Sequence, residues 1–92
     1  MKTRNELRAE IDAIDSQLLE LLNKRARLAI EIAGLKEREG SPIVDQERER
    51  EVVSRACAAN EGPLQRRAVA RIFRTLMRES RGLQLRHQCR VR

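Results

Sequence analysis

The sequence has few aromatic residues: its 92 residues include one phenylalanine and neither tryptophan nor tyrosine. Proteins that bind single-stranded nucleic acid stack the bases on aromatic side chains, so this composition disfavours that class of function. Two cysteines are too few for a disulfide framework, and together with a single histidine they show no spacing typical of a metal site. We therefore expect two free thiols and no bound metal.

Long apolar runs are also missing. The first ten residues are charged from Lys2 onward and lack the apolar run of a signal peptide, and no stretch approaches the length that spans a membrane. We expect a cytoplasmic protein with no membrane partner.

Charge, by contrast, is abundant and unevenly spread. The net charge is +6, and residues 1–50 hold 10 Lys/Arg against 11 Asp/Glu, whereas residues 51–92 hold 10 against 3. A basic second half fits an anionic partner, which could be nucleic acid or a small anionic molecule.

The stretch from Leu7 to Lys36 has the pattern of a long helix. Such a helix, from about Arg4 to Glu37, would be about 50 Å long, whereas a compact domain of this size has a radius of gyration of about 12 Å. The helix would overhang its own domain, so a second chain is needed to cover its apolar seam, and we expect a homodimer. The seam residues recur at alternating steps of four and three: Leu7, Ile11, Ile14, Leu18, Leu21, Leu28, Ile32 and Leu35.

One seam position is occupied by a cation, Arg25. A guanidinium among packed side chains requires an anionic partner, which could be a ligand. Lys36 lies eleven residues further on, within about 20° of the same face and roughly 16 Å along the axis. Ala29 and Ile32 lie between them and could form the floor of a pocket for a compact molecule with two anionic groups. The alternative is that both cations extend past the apolar surface into solvent.

Local patterns predict where the first two helices begin and end. Thr3 and Glu6 match a capping box, and Gly40 suits the left-handed cap of a helix that ends near Glu39. Asp45 can cap a second, shorter helix with a narrow stripe of small apolar residues.

A third helix follows a break at residues 60–62. Pro63 is well placed as its first residue, and its broad apolar face is expected to dock on the first helix. The face turns polar at Ser80 and Gln84, which could be simple fraying. We expect an all-α domain over residues 1–85, with one long, one short and one medium helix, and a basic, disordered tail over residues 86–92.

The polar residues on these helices, taken together, resemble the AroQ-class, all-helical chorismate mutases. The resemblance lies in the strings Leu-Arg-x-x-Ile-Asp-x-Ile-Asp from Leu7, Leu-Leu-x-x-Arg from Leu21, Pro-Ile-x-Asp-x-x-Arg-Glu from Pro42 and Ser-x-x-x-Gln from Ser80, with Lys36 between the second and third. The residues that carry it are Arg8, Arg25, Lys36, Asp45, Arg48, Glu49, Ser80 and Gln84.

The resemblance implies an intertwined homodimer that converts chorismate to prephenate without a cofactor or metal. This Claisen rearrangement is unimolecular, so it needs a folded substrate and cations where charge develops, but no nucleophile or general base.

The resemblance also assigns roles. Arg25 would bind one substrate carboxylate and Arg8 of the other protomer would bind the second, because guanidinium matches carboxylate in a bidentate pair. Lys36 and Gln84 would donate to the ether oxygen that gains negative charge in the transition state. The remaining residues would contact the substrate hydroxyl (Glu49), position that end of the molecule (Asp45 and Arg48) and touch a carboxylate (Ser80).

Two other functions remain open from the sequence. An isochorismate pyruvate-lyase on the same fold would use a similar cationic pocket, but Glu49 fits the mutase pattern better. A basic helical binding module, either a coiled-coil adaptor or a nucleic-acid binder, would leave Arg25 unexplained.

Overall fold

The computed structural model describes residues 1–91, with side chains described up to residue 89. The described chain forms three helices and no strand: α1 (Arg4–Glu39), α2 (Gln46–Ala59) and α3 (Arg66–Val91). The all-α prediction is therefore confirmed.

Both ends of α1 are formed by the predicted residues. The Thr3 hydroxyl accepts a hydrogen bond from the Glu6 amide at 3.1 Å and donates one to the Glu6 carboxylate at 3.2 Å. Gly40 adopts a left-handed conformation with φ 73°, and its amide and that of Ser41 bond to carbonyls of the last turn. This conformation is open to glycine because it has no Cβ.

The α2 cap is also confirmed, since Asp45 Oδ1 accepts from the Arg48 amide at 3.0 Å. The predicted start of α3 is wrong: the helix begins at Arg66, not at Pro63. The Asn60 side chain accepts from the Gly62 amide and donates to the Leu64 carbonyl at 2.7 Å, so residues 60–64 form a turn. Side chains of this type compete with helix formation by bonding to nearby backbone.

The far end of α3 also differs from the prediction. The helix continues through residues 86–91, where we expected a disordered tail, and Arg92 lies outside the described residues. Most residues from Leu83 to Gln88 favour helix. In addition, the Gln84 side chain donates to the Ala29 carbonyl at 2.9 Å, which ties the last third of α3 to α1. This contact offsets the free energy, about 1 kcal/mol, by which a glycine such as Gly82 weakens a helix.

α3 packs against both other helices, whereas α1 and α2 come into no close backbone contact in the described part of the chain. The α1–α3 contact is close because α1 contributes Ala29 and Ala33 and α3 contributes the buried Met77. Between α2 and α3, Cys57, Val69 and Ala70 form a small core, and both Cys57 and Cys89 are free thiols. The predicted docking of α3 on α1 is confirmed.

The first half of α1 extends beyond this packing. The molecule measures 57 Å along its longest axis and has a radius of gyration of 16.6 Å, against about 12 Å for a compact domain of this length. The eight seam residues from Leu7 to Leu35 are between 46% and 63% exposed. No contact within the described chain covers the seam.

None of the three helices, as far as the structure describes them, combines the length and the hydropathy that crossing a membrane requires.

Candidate functional site

A cavity of about 280 Å³ lies where α1, the loop after it, α2 and α3 meet. Its size is near the lower end of the range for small-molecule sites, about 300–1,000 Å³. Ala29 and Ile32 line it, as the α1 pattern suggested. Six of the eight residues singled out from the sequence also line it: Arg25, Lys36, Asp45, Arg48, Glu49 and Gln84.

Arg25 is half-buried at one side of this cavity and is held by α3. Its guanidinium donates to the Ser80 hydroxyl and lies 3.7 Å from the Met77 sulfur. Ser80 therefore contacts Arg25 but is not among the residues that line the cavity. Among the described residues no carboxylate pairs with Arg25. The cation has two neutral partners and keeps donors available for an anionic ligand.

Lys36 and Gln84 project into the cavity from different helices. Lys36 Nζ donates to the Ile43 carbonyl at 3.1 Å, and Gln84 Nε2 donates to the Ala29 carbonyl at 2.9 Å. An ammonium has three N–H donors and a carboxamide has two. Each side chain can thus remain anchored to the backbone while it donates to a ligand atom.

The N-terminal turn of α2 supplies the remaining predicted residues. Asp45 acts as the helix cap, and the exposed guanidinium of Arg48 pairs with Glu51 at 3.1 Å. Glu49 faces α3, where its two carboxylate oxygens lie 3.0 and 3.2 Å from Nη1 of Arg81.

Arg81 is the charged lining residue that the sequence reasoning missed. It lies four residues after the buried Met77 and three before Gln84, so the helical period places it near the face that both share. That spacing could have identified it, but the sequence reasoning singled out only Ser80 and Gln84 as polar residues of interest on this part of α3.

Arg8 does not line the cavity. It lies seventeen residues before Arg25, about 26 Å away along a straight helix, so it cannot reach a ligand bound in the cavity of its own chain.

The charges around the cavity favour an anionic ligand. Four cations (Arg25, Lys36, Arg48 and Arg81) face two carboxylates (Asp45 and Glu49), which leaves a surplus of two positive charges. Within the described residues, no group of three or more histidine, cysteine or acidic side chains is placed to hold a metal ion. The arrangement can bind, orient and electrostatically stabilise a small dianion.

A larger cavity of about 640 Å³ lies on the other side of the α2–α3 pair. It holds none of the predicted residues except Glu49. Met77, Glu49 and Arg81 line both cavities and so form the wall between them.

The fold and this site define a class: an all-helical protein with a cationic pocket for a small anionic molecule. Residues 7–85 match the family described as chorismate mutase type II, and the chain belongs to that family.

Similar proteins agree with this assignment. The chorismate mutase of Methanocaldococcus jannaschii is 34% identical over 80 residues, which cover 86% of this chain and 81% of that protein. The bifunctional chorismate mutase/prephenate dehydratase of Aquifex aeolicus is 38% identical over 81 residues, which cover 84% of this chain. The chain spans only about a fifth of the length of such bifunctional relatives, 22% in this case.

Two solved structures have the same fold. The form II structure of the chorismate mutase of Thermus thermophilus superposes with a TM-score of 0.87 at 33% identity, covering 89% of this chain and 93% of that one. The chorismate mutase of Helicobacter pylori, solved in complex with prephenate, has a TM-score of 0.82 at 33% identity and covers 91% of each chain.

Proposed function

We propose that this chain is a chorismate mutase that rearranges chorismate to prephenate. The observation that carries the proposal is the gathering of Arg25, Lys36, Glu49 and Gln84 from three helices around one cavity with surplus positive charge. Chorismate carries two carboxylates, which matches that surplus. Family membership and the prephenate complex of the Helicobacter pylori protein support the same activity.

In this proposal the protein does two things to its substrate. It holds the molecule folded, so that the carbons that must bond lie close together, and this positioning lowers the entropic part of the barrier. It also places donors where negative charge develops. Lys36 and Gln84, with their backbone anchors at 3.1 and 2.9 Å, donate to the ether oxygen as its C–O bond breaks.

The other residues orient the substrate. Arg25, braced by Ser80, binds one carboxylate, and Glu49 accepts from the hydroxyl. Asp45 and Arg48 shape the end of the cavity nearest α2.

The complete site requires a second copy of this chain. Arg8 lies too far from its own cavity, and the exposed seam of α1 offers a surface that another α1 can cover. We therefore propose a two-fold homodimer in which Arg8 of each protomer binds the second carboxylate in the cavity of the other. Light scattering should give twice the mass of one chain.

The activity is tested by following the loss of the chorismate diene absorbance in the presence of EDTA. We expect turnover well above the spontaneous rate, because each proposed role is filled by a protein side chain. A rate equal to the spontaneous one, in protein whose circular dichroism shows intact helices, would refute the proposal. Conversion of isochorismate to salicylate and pyruvate instead would indicate the lyase.

A further inference from the structure

The ion pair between Arg81 and Glu49 differs in position and burial from the other ion pairs of the described residues. It joins α3 to α2, whereas those other pairs lie within one helix or beside its start. The two side chains are only 33% and 24% exposed, against more than half for every other pair. Partial burial limits screening by solvent, so this pair is stronger than an ordinary surface pair.

The contact also fixes the direction of a carboxylate. One guanidinium nitrogen lies within 3.2 Å of both oxygens of Glu49, which places the cation in front of the carboxylate. An ionised carboxylate has about four acceptor sites, so the lone pairs that Arg81 does not use can accept from a ligand in the smaller cavity, which Glu49 lines. Without this cation, Glu49 would be free to rotate toward solvent.

The electrostatics of the cavity also favour a cation beside Glu49. A carboxylate beside a dianionic substrate is repelled by it, and the repulsion grows in a partly desolvated cavity. Arg81 is the cation nearest to Glu49 and offsets this repulsion.

From these observations we infer that Arg81 is a positioning residue that holds Glu49 toward the substrate hydroxyl and determines how tightly a hydroxylated dianion binds. The inference rests on the proposed function, because it takes chorismate as the ligand. It assigns Arg81 no contact with the reacting atoms.

The test is a double-mutant cycle with Arg81→Gln and Glu49→Gln. The hydroxyl does not react, so its contact contributes equally to substrate and transition state, and its loss should appear in KM. We expect Arg81→Gln to raise KM roughly tenfold while kcat changes less than about threefold. In the Glu49→Gln background, the same change should raise KM by less than about threefold, because the group that Arg81 positions is gone and only the general attraction of its charge for the dianion is lost.

Two further variants distinguish the positioning of Glu49 from a general effect of positive charge and from a loss of folding. Arg81→Lys keeps the cation but loses the rigid guanidinium, so its KM should fall between wild type and Arg81→Gln. Arg78→Gln removes the same charge one turn away, from a residue that lines only the larger cavity, and should leave KM unchanged.

Besides an unaffected Arg81→Gln, three results would overturn the inference. One is an equal KM increase in the Glu49→Gln background, and another is the same increase in Arg78→Gln. The third is loss of helical circular dichroism in Arg81→Gln together with wild-type KM in folded Arg81→Lys, which would make the pair a purely structural link. Wild-type protein that does not convert chorismate would refute the proposed function instead, whereas active wild type with unaffected Arg81→Gln would refute only this inference.

Discussion

Arg25 shows how a single polar residue in an apolar pattern marks a site. Its helical position belongs to the seam of α1, yet its side chain turns toward α3 and is held there by Ser80 and Met77. Keeping a cation half-buried without a carboxylate costs free energy that neutral hydrogen bonds only partly offset. A ligand carboxylate would supply the missing partner.

We expect Arg25→Ala to lower kcat/KM by a hundredfold or more, about 3 kcal/mol of transition-state stabilisation. The midpoint of thermal unfolding should stay the same or rise, because the substrate-free protein no longer holds a half-buried cation without an anionic partner. Steady-state kinetics and calorimetry on the same preparation measure both effects.

Arg27→Ala is the matched control, because Arg27 is exposed and lies about 200° round α1 from Arg25. It should leave kcat/KM and the unfolding midpoint unchanged. If Arg25→Ala unfolds, and a chorismate analogue fails to stabilise the wild type, then Arg25 is a structural residue.

For individual side chains, the sequence predicted six residues of the cavity lining, but neither Arg81 nor the hydrogen-bond partners of these side chains. The break in the seam and the spacing to Lys36 identified the cavity wall and its floor of Ala29 and Ile32 from helical period alone. The contacts of Gln84 with Ala29 and of Glu49 with Arg81 join residues 55 and 32 positions apart. Such contacts depend on how the helices pack, which no local pattern determines.

The helices themselves differ in how well their ends could be predicted. Thr3, Gly40 and Asp45 act on backbone groups within four residues, so their sequence patterns predicted the ends of α1 and the start of α2 correctly. The start of α3 depends on the hydrogen bonds of the Asn60 side chain, which hold residues 60–64 in a turn and leave Pro63 outside the helix. The far end depends on the contact of Gln84 with α1. The prediction of a disordered tail used local pattern alone and was therefore wrong for residues 86–91, which are helical.

Gly82 offers a test of this account within one helix. A Cβ added there would lie 3.4 Å from Nη1 of Arg86, the far end of a flexible side chain that can move aside. Because alanine loses less backbone entropy in a helix, Gly82→Ala should raise the free energy of unfolding by up to about 1 kcal/mol. Urea unfolding at a fixed protein concentration should show a higher midpoint with an unchanged slope.

Gly40→Ala is the comparison, since Gly40 has φ 73° and alanine is strained in that conformation. It should lower the free energy of unfolding by about 1–2 kcal/mol. If Gly82→Ala is instead destabilising, the backbone at Gly82 must be approached closely by a group outside this chain.

At the scale of the whole molecule, a single chain leaves a large apolar surface uncovered. A 36-residue helix extends from a small core, and the eight large apolar residues of its seam face solvent at half exposure. The cavity has cations from all three helices, while Arg8, which the resemblance associates with the same ligand, lies near the opposite end of α1. The proposed two-fold axis across α1 would account for both features, because it would cover the seam and bring Arg8 of each chain to the other's cavity.

Mixed dimers test this arrangement directly. Arg8→Ala and Lys36→Ala should each be nearly inactive alone, because each removes a group from both sites. In a dimer of one variant with the other, one site combines the intact Lys36 of the first chain with the intact Arg8 of the second, and the other site lacks both. Random exchange, forced by co-expression or joint refolding, makes about half of the dimers mixed, so about a quarter of wild-type activity should return. Mass spectrometry verifies that mixed dimers have formed. Activity that remains at the level of the single variants, despite verified mixed dimers, would show that each site draws on one chain and that the shared site is wrong.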